Sequence, residues 1–271
     1  MDDAARRAIK AYFFVVPKWL IIFLVLTPFI IFAAFQDKNN ACGGMGCSVI
    51  LLVAVAAALL WLFRGLHARP RDEQMDQWLS EDLKFVGVRA LQKGGVDASQ
   101  VVREPVVVIG PRFNARGGAF FGIRKGADQK IRFTPVDVTV INFAQHQLLT
   151  YQCAFDRTTG SPLNEGTAEY FYKDVVSAAT QAQSLSFSKQ DIGKQVLRRV
   201  SAFSEAAGGS VQLNQADTFT LTTSGGTSVR VVISDRAIVQ ALGGGSLPTE
   251  LADQAVQAVR SMLRDKKINA T

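Results

Sequence analysis

The chain reads as an α+β protein, with two apolar transmembrane helices in an N-terminal hairpin and a mostly antiparallel β domain behind them. Three observations predict this. Two long charge-free runs precede residue 66, period-two alternation dominates the middle, and an apolar stripe at helical spacing closes the chain. The expected divisions are residues 1–66 for the helical hairpin, 67–102 for an amphipathic helix and linker, and 103–271 for the β domain with its C-terminal helix.

The first run, residues 19–35 (WLIIFLVLTPFIIFAAF), carries no charge, and neither do residues 39–63. A bilayer core of ~30 Å takes about 20 apolar helical residues, and with their flanks both runs reach that length. Trp19 and Trp61 lie toward the ends, where aromatic belts form, and Lys18 can snorkel to the headgroups. Pro28 is tolerated inside such a span. Arg6, Arg7 and Lys10 precede the first run, while Arg64, Arg69 and Arg71 follow the second. The positive-inside rule then places both termini in the cytoplasm of a two-pass inner-membrane protein. Cys42 and Cys47 lie in the connecting loop, outside, where they could pair as a disulfide. Their spacing of four intervening residues, with no histidine or carboxylate pattern nearby, does not form a metal motif.

Residues 72–83 place Met75, Trp78, Leu79 and Leu83 three to four apart, which predicts a short amphipathic helix on the membrane face or on the domain. After Gly94-Gly95 the period shifts to two. Residues 104–110 (EPVVVIG) form a buried-strand pattern. Residues 131–143 alternate through Val136, Val138 and Val140, and residues 149–155 through Leu149, Tyr151, Cys153 and Phe155, with a tight connection at 144–146. Residues 168–177 read as another strand. Residues 219–221 and 229–233 flank Gly225-Gly226, a hairpin-turn signal. Residues 191–205 are helical in tone and read as an insertion or crossover. Pro248, Glu250 and a stripe through Ala252, Ala255, Val256, Val259, Met262 and Leu263 predict the closing helix, with Arg264, Lys266 and Lys267 in its last turn.

Residues 169–178 (EYFYKDVVSA), preceded by a hairpin and followed by the hairpin at 219–233, resemble the aromatic-rich strand and later hairpin of bacterial pleckstrin-homology-like domains. The resemblance covers residues 106–263, and the segment at 191–205 departs from a compact version. It implies a PH-like, partly open barrel of two sheets with a terminal helix, and it does not imply an enzyme.

The net charge of +7 is only mildly expressed in the part behind the apolar runs, so no nucleic-acid partner is expected. Such a balance suits a domain beside an anionic membrane surface. Catalytic and cofactor motifs are not found. His67 and His146 have no ligand-spaced neighbours, Cys153 is in phase with core positions, and the glycine pairs lack the Gly-Lys-Ser/Thr of a phosphate loop. No catalytic residue, metal ligand or cofactor is assigned. One stretch exceeds background: residues 112–132 carry Arg112, Arg116, Arg124, Lys125, Lys130 and Arg132 against Asp128, around Phe120-Phe121. It can be a loop that lays aromatics and cations on anionic lipid headgroups. It can equally be a solvated hairpin whose phenylalanines enter the core, which is the more economical reading because charge runs are usually solvated faces.

The expected function is a non-catalytic binding or scaffolding module, tethered to the bilayer, that contacts a protein partner, a second copy or anionic headgroups. The alternatives are a non-catalytic subunit of a bacterial envelope secretion or transport complex and, least favoured, a membrane-bound enzyme.

Overall fold

The computed structural model describes residues 1–14, 18–36, 41–67, 69–112, 119–188, 210–226, 228–235 and 250–268. The helical insertion read at residues 191–205 and the side chains of Cys42 and Cys47 lie outside the described residues. The chain divides into two compact units, Arg7–Pro70 and Met1–Arg6 together with Arg71–Thr271.

The smaller unit contains most of α1 (Asp3–Tyr12), then α2 (Lys18–Gln36) and α3 (Ala41–His67), which pack on each other. Gly65 lies against the ring of Phe14, which also meets Trp61 edge-on at 4.9 Å. A side chain at position 65 would crowd that ring. The backbone of Cys42 and Cys47 belongs to the first turns of α3, not to a loop.

The two apolar runs are therefore helical, but the expected transmembrane hairpin is corrected: among the described residues no helix is long and apolar enough to cross a membrane. The two-pass inner-membrane placement with both termini cytoplasmic is corrected with it, because the positive-inside argument orients spans and needs them to exist.

The larger unit is mixed helix and antiparallel sheet. Its α4 (Asp72–Gly94) is twice the expected length, because the apolar positions continue through Val86 and Ala90. It stops at Gly95, whose left-handed φ of 64° lets its N–H reach the carbonyl of Gln92 while Val96 N–H reaches Leu91. Strands β1 (Val101–Pro111), β4 (Val136–Ala144), β5 (Gln147–Asp156) and β6 (Ser161–Phe171) form one antiparallel sheet in that order. Between β1 and β4 the chain makes a separate hairpin, β2 (Gly122–Lys125) with β3 (Ile131–Thr134). The alternating run at 131–143 is thus two strands, parted at Pro135.

Strands β7 (Val175–Ser188), β8 (Ser210–Thr223) and β9 (Ser228–Asp235) form the second sheet, and α5 (Glu250–Ile268) packs against β1 and β7. The strand read across residues 168–177 is broken by a single 3-10 turn, Tyr172–Asp174. There the buried Tyr172 donates its hydroxyl to the carbonyl of Ala144 at 2.8 Å, pinning a corner where the chain leaves the first sheet for the second.

Alternation divides the core in two. Val136, Val138, Val140, Tyr151, Cys153 and Phe155 face α4 and the β2–β3 hairpin. The opposite face, with Val108, Ile141, Phe143 and Leu148, meets β7–β9 and the Val256–Val259 side of α5. Both faces of the first sheet are therefore covered, so its central strand β4 carries apolar side chains at even and odd positions alike.

Candidate functional site

Strand β7 pairs with β8 on one side, and among the described residues no strand pairs with its other side. An edge of this kind presents unpaired N–H and C=O groups. Helix α5 runs beside it, and the two enclose a groove of about 640 Å³ lined by residues 175–178 and by Arg260, Leu263 and Arg264. The local sequence explains the shape. The ladder of β7 with β8 shifts between Val175 and Ser177, so Val175 and Ala178 point into the core while Val176 stays 59 % exposed. On the helix, Val256, Val259, Met262 and Leu263 are buried, which leaves Arg260 and Arg264 outward at the groove.

Arg260 already uses the edge: its Nε donates to the carbonyl of Ala178 at 2.9 Å. Arg264 Nε reaches the carbonyl of Arg260 at 3.4 Å, a weaker contact. Lys266 sits over the ring of Tyr172 at 6.0 Å, and Lys173 over Phe171 at 5.9 Å. The groove thus combines an open strand edge, an apolar floor and a cationic rim. Chemically it can hold extended backbone and acidic side chains. Ser177 adds a hydroxyl, and the described lining residues include no histidine, cysteine or carboxylate.

The described residues among those singled out at 112–132 sit in different surroundings. Arg112 pairs with Asp137 at 2.7 Å. Arg116 lies outside the described residues. Phe121 is 4 % exposed and belongs to the core facing α4, whereas Phe120 is half-buried. Arg124 and Lys125 on β2 are half-buried, with Arg124 directly across from Arg132 on β3. Lys130 is 57 % exposed and 4.0 Å from Asp76.

Arg132 is only 5 % exposed, and its guanidinium is surrounded by carboxylates. It makes two bonds of 2.7 Å to Asp76 and bonds of 2.9 and 2.7 Å to Asp128, with Asp72 at 3.7 Å. Two of those acids are on α4, one turn apart, so the arginine docks the hairpin to the helix. The most buried cation of the stretch is therefore already neutralised.

These hydrogen bonds hold the Asp128 carboxyl down at about 2, with Arg132 the main cause. A carboxylate depressed in the folded state stabilises the fold above its unfolded value near 3.9, and that contribution is lost as pH falls through about 2. Asp128→Asn should therefore flatten the acid limb of urea-unfolding stability between about pH 4 and pH 2. Parallel limbs for the two proteins would show that Asp128 does not carry this linkage.

Cys153 sits in the core, as its alternation requires, and burial raises its thiol to about 11. It should resist maleimide labelling in the folded protein and react on unfolding; rapid native labelling would contradict the buried position. Its neighbour Tyr151 is raised as well by burial, and its hydroxyl has no hydrogen-bond partner of good geometry. Among the described residues no cluster of histidine, cysteine and carboxylate can hold a metal ion.

Sequence reasoning passed over Arg260 and treated Arg264 only as a charge suited to the end of a helix. The available signal was their i, i+4 spacing on the polar side of an otherwise apolar stripe, but which strand that side borders cannot be read from the stripe. No protein-family model, curated protein or solved structure matches the chain.

Proposed function

We propose that this protein is a non-catalytic binding module that takes an extended, acidic peptide segment of a protein partner into the groove between β7 and α5. The observation that carries this reading is the open edge of β7 beside two outward arginines. Strand addition uses main-chain hydrogen bonds for affinity and flanking pockets for side-chain choice. Here the edge supplies the first, and Leu263 with Arg260 and Arg264 the second. A peptide strand would take over the Ala178 carbonyl now satisfied by Arg260, freeing that guanidinium to pair with an acidic side chain.

The alternative ligand, an anionic headgroup at residues 112–132, is less favoured because Arg112 and Arg132 are already paired with carboxylates.

The test is a display selection of peptides against the full chain, followed by amide-shift mapping. Enriched sequences should be acidic and extended, and should shift the amides of residues 175–178. Arg264→Glu should weaken them at least about tenfold, roughly 1.4 kcal/mol, and binding should fall with salt. Neutral or basic winners, or shifts confined to other surfaces, would refute the groove. Salt-sensitive binding to anionic vesicles, reduced by Lys130→Glu, would move the reading to headgroups.

A further inference from the structure

At the β5–β6 turn of the first sheet, one side chain fills a site made by distant parts of the chain. Arg6 lies on the N-terminal segment that belongs to the larger unit. Its Nη2 and Nη1 donate to the two carboxylate oxygens of Asp82 on α4, at 2.7 and 3.1 Å. Nη1 also donates to the carbonyl of Arg157 at 2.8 Å. The guanidinium carbon stands 5.8 Å from the centre of the Phe155 ring. Gly160, with a left-handed φ of 73°, also borders it, and a Cβ there would come within 2.6–2.8 Å of the guanidinium.

Each part matches a planar fork and not a point charge. The carboxylate is engaged at both oxygens, the carbonyl takes a second proton of Nη1, and an aromatic ring and a bare Cα leave a slot for a flat group. The slot is rigid. Asp156 Oδ1 accepts from the Thr158 N–H and hydroxyl at 2.8 and 2.7 Å, and the Asp156 carbonyl accepts from Gly160 N–H at 2.8 Å, closing the β5–β6 turn. Asp82 is 2 % exposed, so its charge is committed to this site. By contrast, residues 1–4 are exposed, and a cavity of about 270 Å³ remains beside Arg6, bordered by Asp3, Glu81 and Phe85. Arg6 itself is on α1, whose Ile9 and Tyr12 are buried, so its side chain, with room next to it, is what an incoming group would displace.

We propose that Asp82, the Arg157 carbonyl, Phe155 and Gly160 form a guanidinium-binding site that Arg6 occupies in cis and from which an arginine of another chain can displace it. The Arg6 side chain then acts as a built-in competitor that sets how strong an incoming arginine must be. The site is separate from the β7–α5 groove, so the two readings stand or fall independently.

The experiment uses full-length protein and 1-ethylguanidinium, with ethylammonium as control. Arg6→Ala should lower Tm by about 4–8 °C, as expected for loss of charge-assisted hydrogen bonds. Millimolar ethylguanidinium should restore a saturable part of that loss, ethylammonium clearly less, and the double variant Arg6→Ala/Asp82→Asn should not respond. In the wild-type protein ethylguanidinium should speed hydrogen exchange over residues 2–6, and ethylammonium should not. A folded Arg6→Ala variant that ignores ethylguanidinium overturns the proposal. Should that variant fail to fold, equal exchange of the wild-type segment under the two ligands overturns it instead.

Discussion

Asp82→Ala is expected to destabilise the protein by about 3–5 kcal/mol, the largest effect of any single polar substitution here. The carboxylate faces two arginines, Arg6 at 2.7 Å and Arg157 at 3.9 Å, and Arg157 is 1 % exposed. Arg157 has one further bond through its side chain, from Nη2 to the carbonyl of Met75 at 2.7 Å, and its Nε is unpartnered. Removing Asp82 would leave that guanidinium buried with only the weaker attraction of Asp76. Burial already strains the pair from both sides: it raises the Asp82 carboxyl against the pull of Arg6, and it lowers Arg157 to about 10.

Asp82→Asn keeps one acceptor for Arg6 but removes the same charge, so it should cost nearly as much, about 2–4 kcal/mol. Urea unfolding of the two variants measures both losses. If each cost less than about 1 kcal/mol, the buried arginines would not depend on the charge.

Phe121→Ala should cost about 3–4 kcal/mol and lower Tm by about 8–12 °C. The ring is in the core between the β2–β3 hairpin and α4, beside Ile123, Ile131 and Phe133, where truncation opens a cavity that strands cannot close. Phe120, half-buried next to it, should cost less than half as much. Thermal melts of both variants decide between core and interfacial roles. Equal small losses would place both rings outside the core, and a lipid contact for the pair would regain ground.

Much of the fold was legible because its signals are local. The alternation at 149–155 needs only the pleat, and β5 runs through it with Tyr151, Cys153 and Phe155 on one face. The closing helix and the Gly225-Gly226 turn were likewise readable from spacing and turn chemistry, and Gly226 does adopt a positive φ of 79°. The failures share a cause. The 169–178 run has the composition of one strand, yet Tyr172 finds its partner at Ala144, 28 residues away, and the chain bends there. The apolar N-terminal runs are helical, but among the described residues no helix is long and apolar enough to cross a membrane.

The basic stretch at 112–132 shows the limit most plainly. Its charges are visible in the sequence, while their neutralisation is not, because Asp72 and Asp76 come from a helix some 56 residues earlier. Composition and periodicity are sums over neighbours along the chain, and they specified strand phase, helix stripe and turn. The β7–α5 groove, the buried Arg157 and the surroundings of Arg6 arise from pairings between residues up to 151 positions apart. Such pairings carry no periodic trace, since a single hydrogen bond needs one donor and one acceptor brought together by the packing of everything between them.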